Sequence, residues 1–125
     1  MKINIETITH EKQLYSTVGD WWWDGKTLEI RVSELSDWRF EALVAVHELI
    51  EVLLCKHRKI AQESVDRFDR QYETRRQEND DSEPGDAPDS PYKREHCCAT
   101  GVERLLAAEL EVSWKEYEDE LYSLP

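Results

Sequence analysis

The run His47-Glu48-Leu49-Ile50-Glu51 constrains this chain more than any other feature, because it sets a histidine and a carboxylate where a helix buries apolar side chains. Advancing about 100° per residue from His47 puts Phe40 near 20°, Glu51 near 40°, Val44 near 60°, Leu54 near −20° and Leu43 near −40°. His47 and Glu51 are therefore one turn apart in the middle of the apolar stripe. An ionised carboxylate carried into a core without a partner costs several kcal/mol, so Glu51 must be paired, protonated or bound to a cation. Glu48 falls about 100° away, at the stripe edge, where it reaches a bound water. The pattern asks for a metal ion.

A second stripe supplies the missing ligand. From His96, Glu103 lies near −20°, Ala107 near 20°, Leu110 near −40°, Thr100 near 40° and Ala99 near −60°, at about 100° per residue. The small residues Ala99, Thr100 and Ala107 let another helix approach closely. Packed against the His47 helix, this one faces His96 to His47 and Glu51. Two nitrogens and one carboxylate oxygen leave a fourth tetrahedral position open, the arrangement of catalytic zinc sites. Glu103 stands two turns from His96, roughly 10 Å along the axis. It is expected to orient a ligand or to serve a second ion. The competing reading makes His47, Glu51, His96 and Glu103 a closed structural polar network.

The 125 residues read as one α+β domain. Residues 1–35 form a small antiparallel sheet: a strand over Lys2–Thr9, then a hairpin across Tyr15–Val32. Asp24-Gly25 is its expected two-residue turn, pairing Trp23 with Lys26 and Trp21 with Leu28. Trp21 and Trp23 share the apolar face with Leu28 and Ile30. Residues 38–76 hold two helices, about Trp38–Lys59 with Ser36 or Asp37 as N-cap, and about Gln62–Arg76. Residues 77–90 are rich in Asp and Glu, hold Pro, Gly and Ser with no basic residue, and read as a flexible, solvated acidic loop. Residues 91–123 are helical again, from Pro91 to about Glu111, then from a capping box at Ser113–Glu116.

His47-Glu48-x-x-Glu51 on a helix after a β-hairpin resembles the zincin metallopeptidase core, whose signature is H-E-x-x-H. The resemblance implies zinc on His47, Glu51 and His96, with Glu48 as the base that polarises the attacking water. It implies hydrolysis of a peptide or amide bond. Glu51 stands where the family has its second histidine, so the ligand set becomes His-Glu-His. The chain also resembles small phage and prophage proteins that are acidic and rich in tryptophan.

Composition narrows the alternatives. A formal charge of −12 argues against nucleic-acid and anionic-membrane binding, which need clustered Lys and Arg. No apolar run approaches 18 residues, and the polar start of the chain is not a signal peptide. Three cysteines, two of them adjacent, form no disulfide framework, and a reduced, cytoplasmic setting is expected. The charge also suits an acidic interaction protein that covers a basic surface of a host protein, with the His and Glu cluster structural. Cys55, Cys97 and Cys98 read as packing residues, and Trp22 as an exposed contact opposite the hairpin's core face. Asp66 and Asp69 read as exposed or semi-exposed. Tyr92 and Arg58 are candidate oxyanion donors.

Overall fold

A computed structural model describes all 125 residues. Strand β1 spans Lys2–Ile8, β2 Gly19–Asp24 and β3 Thr27–Ser33; helix α1 spans Trp38–His57, α2 Gln62–Thr74, α3 Lys93–Glu109 and α4 Trp114–Ser123. Short 3₁₀ turns occupy His10–Lys12 and Pro84–Asp86. The α+β class follows the hydrophobic periodicities, and no helix is long and apolar enough to cross a membrane.

The sheet is mixed, not the all-antiparallel one expected from the hairpin. Its order is β1-β3-β2, with β1 parallel to β3 and β2 antiparallel to it. Central strand β3 buries Leu28, Ile30 and Val32 completely. Each such side chain contributes roughly 1.5–3 kcal/mol of transfer free energy. On the parallel edge, Ile3 and Ile5 pair with Leu28 and Ile30 but stay 41% and 45% exposed, because α1 packs mainly on β3 and β2.

The hairpin turn lies one residue later than expected. Asp24 pairs with Thr27, so Gly25 and Lys26 form the loop, and Gly25 alone takes a positive φ of 60°. A two-residue loop with glycine first fits a type II′ turn. The change moves Trp21 opposite Ile30 and Trp23 opposite Leu28. A shift of two in pairing keeps every side chain on its face, so Trp21 remains in the core.

Helix α1 begins where Asp37 accepts from the Arg39 backbone N–H, an N-cap that satisfies one free amide. Just past its end at His57 and the C-cap Arg58, Lys59 takes a φ of 59°, which lets Ile60 N–H reach the Cys55 carbonyl at 2.9 Å. Helix α3 closes the same way, with Glu111 at φ 57° and Val112 bonded to Ala107. Its start differs from expectation. Ser90 Oγ accepts from Tyr92 N–H, and regular helix begins only at Lys93. Ser113 caps α4 by accepting from Glu116 N–H at 3.3 Å.

The two long helices pack against each other over Ala99 and Ala107, both buried. Their small side chains allow close axial approach, which is what brings the polar stripes of α1 and α3 into contact. Val52, Cys55, Phe40, Leu43 and Tyr117 fill the core around them.

Candidate metal centre

His47 and Glu51 project from α1, and His96 and Glu103 from α3, all four buried. The His47 and His96 rings lie 4.7 Å apart, centroid to centroid, in an edge-to-face arrangement. Three atoms converge between them. Glu51 Oε2 lies 3.2 Å from His47 Nε2 and 3.0 Å from His96 Nδ1, and the two nitrogens are 3.2 Å apart. Ligands of a tetrahedral zinc with bonds near 2.0–2.1 Å are separated by about 3.4 Å. The observed separations are close to that spacing, so the three atoms would accept a zinc ion at ordinary bond lengths.

Surrounding hydrogen bonds decide what the converging atoms offer. Glu103 Oε2 accepts from the Tyr117 hydroxyl at 2.6 Å, and Oε1 lies 2.8 Å from His47 Nδ1. An ionised carboxylate only accepts, so the ring proton of neutral His47 sits on Nδ1 and Nε2 presents a lone pair. Trp21 Nε1–H donates to Glu51 Oε1 at 3.2 Å, leaving Oε2 free toward the histidines. Acceptors facing acceptors repel unless a cation or protons stand between them. Carboxylates on the outer nitrogens of ligating histidines are the usual way a protein fixes the metal-binding tautomer.

Without an ion, protons fill that role. Burial opposes charge on His47, but its bonds to Glu103 and Glu51 win and raise its pKa to about 11. His96 behaves alike: burial pulls down, Glu51 and Glu83 push up, and the result is about 10. Burial would raise Glu51, but hydrogen bonds from both rings hold it down at about 2. Glu48 is pushed well above the carboxylate range by burial and then by the charge of Glu51.

Glu48 makes no side-chain hydrogen bond and lines the cavity that His47, Glu51 and His96 also face. This cavity, of about 170 Å³, is bounded by eight carboxylates and by no lysine or arginine. It contains several residues that periodicity alone did not single out. Asp20, at the start of β2, is 8% exposed and accepts from Trp21 N–H. Burial raises its pKa to about 6. Asp69, read as exposed or semi-exposed, is half-buried, lines the cavity and accepts from the Tyr92 hydroxyl at 2.5 Å. Burial carries it to about 7 against that bond. Asp66 lines the cavity too.

The acidic segment is not simply solvated. Its 3₁₀ turn lays Gly85 on the His96 ring and brings Glu83 Oε2 to 2.8 Å from His96 Nε2. That contact is out of line for a hydrogen bond, and Nε2 is the one buried side-chain polar atom without a partner.

Other expectations change. Cys97 and Cys98 are exposed rather than packed. Cys55 is buried, as a packing residue is expected to be, and burial followed by the Glu51 charge raises its thiol to about 12. Arg58 pairs with buried Glu95 at 2.8 Å and stands outside the cavity lining. Tyr92 lines the cavity, but its hydroxyl is committed to Asp69. Trp22 is half-buried beneath the Arg31 guanidinium, 5.2 Å from its ring centroid. No known protein family matches this chain, and no curated protein or solved structure matches it either.

Proposed function

We propose that this chain is a zinc-dependent hydrolase of peptide or amide bonds, with His47, Glu51 and His96 as ligands and Glu48 as the general base. The observation that carries the reading is the convergence of three ligand atoms within 3.0–3.2 Å, with the outer nitrogen of His47 tied to Glu103. When bound, zinc supplies Lewis acidity toward a carbonyl and lowers the pKa of a coordinated water to about 7. The chain does the rest. Glu103 and Tyr117 hold the His47 tautomer, and Trp21 orients Glu51. Glu48, lacking a competing partner, would take a proton from the attacking water and deliver it to the leaving amine once the charge of a bound cation offset the burial and the Glu51 charge that keep it protonated.

Elemental analysis of protein purified without a histidine tag tests this reading, with His47→Ala expected to remove the zinc. Glu48→Gln retains zinc and loses hydrolysis of a mixed peptide pool. Metal-free wild-type protein at neutral pH, or full activity in Glu48→Gln, overturns it.

The net charge of −12 favours one second reading, an acidic interaction protein that covers a basic surface of a host protein. In it the buried histidines remain protonated and the cluster is structural. Zinc-free protein whose capture of a basic partner weakens steeply with salt is its expected signature.

A further inference from the structure

We infer a second cation site on the outer side of the same imidazole, formed by His96 Nε2, Glu83 and Asp86. Nε2 lies 2.8 Å from Glu83 Oε2 and 3.5 Å from Asp86 Oδ1. The three ligand atoms are within 4.8 Å of one another. His96 is only 5% exposed, and its Nε2 has no hydrogen-bond partner although two carboxylates flank it. A proton on Nε2 leaves both oxygens poorly served, because neither is in line with it. A cation is served by all three, since ionic bonds tolerate the angles that a hydrogen bond does not.

The backbone is shaped for this approach. A Cβ added at Gly85 would lie 2.3 Å from His96 Cγ and 2.5 Å from Nδ1, so only glycine lets the turn rest on the ring. The turn then holds Glu83 and Asp86 on either side of Gly85, their side chains 44% and 59% exposed and open to an arriving ion. One imidazole nitrogen and two carboxylate oxygens, with water completing the shell, form a ligand set that zinc accepts.

With both sites filled, Nδ1 would serve the inner ion and Nε2 the outer one, and the ring would release its protons to solvent. Bond lengths near 2.0 Å at each nitrogen put the ions about 6 Å apart, beyond the 3.5–4 Å at which paired ions share a reacting oxygen. The outer ion is therefore a fastener. It pins the acidic segment, whose Glu83, Pro84 and Gly85 form one wall of the cavity, onto the inner site. The inference rests on the zinc reading only in assigning Nδ1 inward.

Zinc titration of chelator-stripped, tag-free protein tests it, with loading read by elemental analysis after desalting. Wild type takes up two equivalents, and E83Q/D86N and E51Q one each. Zinc slows proteolysis within residues 77–90 in wild type but not in E83Q/D86N. Loading unchanged in E83Q/D86N overturns the outer site and leaves the inner one standing. A single wild-type equivalent that E83Q/D86N loses and E51Q keeps supports the outer site and overturns the inner. No bound zinc in any form overturns both. Asp86 is exposed, Glu83 is half-exposed and both substitutions keep the side-chain shape, so circular dichroism of E83Q/D86N matches wild type.

Discussion

His47 Nδ1 and Glu103 Oε1, fifty-six residues apart in the chain, meet at 2.8 Å across the α1–α3 interface. This contact fixes which nitrogen of His47 faces Glu51 and His96. Glu103→Gln replaces a pure acceptor with an amide that can present its NH₂ to the ring, and control of the tautomer is lost. Zinc affinity, measured by competition with a chelator, is expected to fall 10–100-fold. Tyr117→Phe leaves Glu103 Oε2 without its donor and costs about 1–3 kcal/mol in urea unfolding. Wild-type affinity in Glu103→Gln removes Glu103 from the orienting role.

Stability should respond to pH in opposite ways with and without zinc. In the metal-free protein, His47 and His96 have folded pKa values of about 11 and 10, above their ordinary 6.5. Native protein holds these protons more tightly than unfolded chain. Their stabilisation is fully present below pH 6.5 and is lost as pH rises through 10–11. Asp20 and Asp69, raised to about 6 and 7, act in the same sense from about pH 4 upward. Glu51, lowered to about 2, contributes above pH 4.5 and loses that contribution as pH falls through 2. The melting temperature of chelated protein therefore declines from pH 5.5 to pH 9. Zinc competes with the ring protons, so its stabilising increment grows over the same range. A zinc increment that shrinks with rising pH contradicts coordination by His47 and His96.

Much of this centre could be read from the sequence, because helical periodicity is a local property. One turn separates His47 from Glu51, and the stripe through His96, Ala99, Glu103 and Ala107 declares which face of α3 is buried. That these faces meet follows from the small residues at the contact. What periodicity cannot supply is contact between segments lacking a common period. Asp20 reaches the cavity from a strand end, Glu83 from a 3₁₀ turn, and Tyr117 from a helix whose capping box fixes its start but not its docking. Glycine-proline composition marked the acidic segment as irregular, yet irregular backbone can still be packed. The run Glu83-Pro84-Gly85-Asp86 is the available clue. The parallel pairing of β1 had no local signal, since alternation is the same in either direction.

Gly19 offers a way to disturb Glu48 without touching a ligand. A Cβ at this position would lie 2.8 Å from both Glu48 Oε1 and Val44 Cγ1. Gly19→Ala forces one of them aside, at a cost of about 1–3 kcal/mol of overpacking. On the proposed zinc reading, zinc stoichiometry stays at the wild-type value while turnover falls, because His47, Glu51 and His96 remain in place and only Glu48 is displaced. Loss of metal in Gly19→Ala would mean that Glu48 and the ligand cluster move as one unit.

The charge of the cavity sets an expected preference among substrates. Eight lining carboxylates with no lysine or arginine make a negative field that even a dication only partly cancels. Peptides with Lys or Arg beside the scissile bond should be cleaved faster than those with Glu there, and the ratio should shrink as salt is added. Asp20 and Asp69 ionise as pH rises through about 6 and 7, so the preference sharpens between pH 5.5 and 8. Asp20→Asn together with Asp69→Asn flattens that pH dependence while leaving zinc content unchanged. Competition between matched Lys and Glu peptides, followed by mass spectrometry at each pH, measures the ratio directly. Equal cleavage of the two peptides at pH 8 and low salt means that substrate does not occupy the acidic cavity, and the catalytic role of Glu48 falls with it.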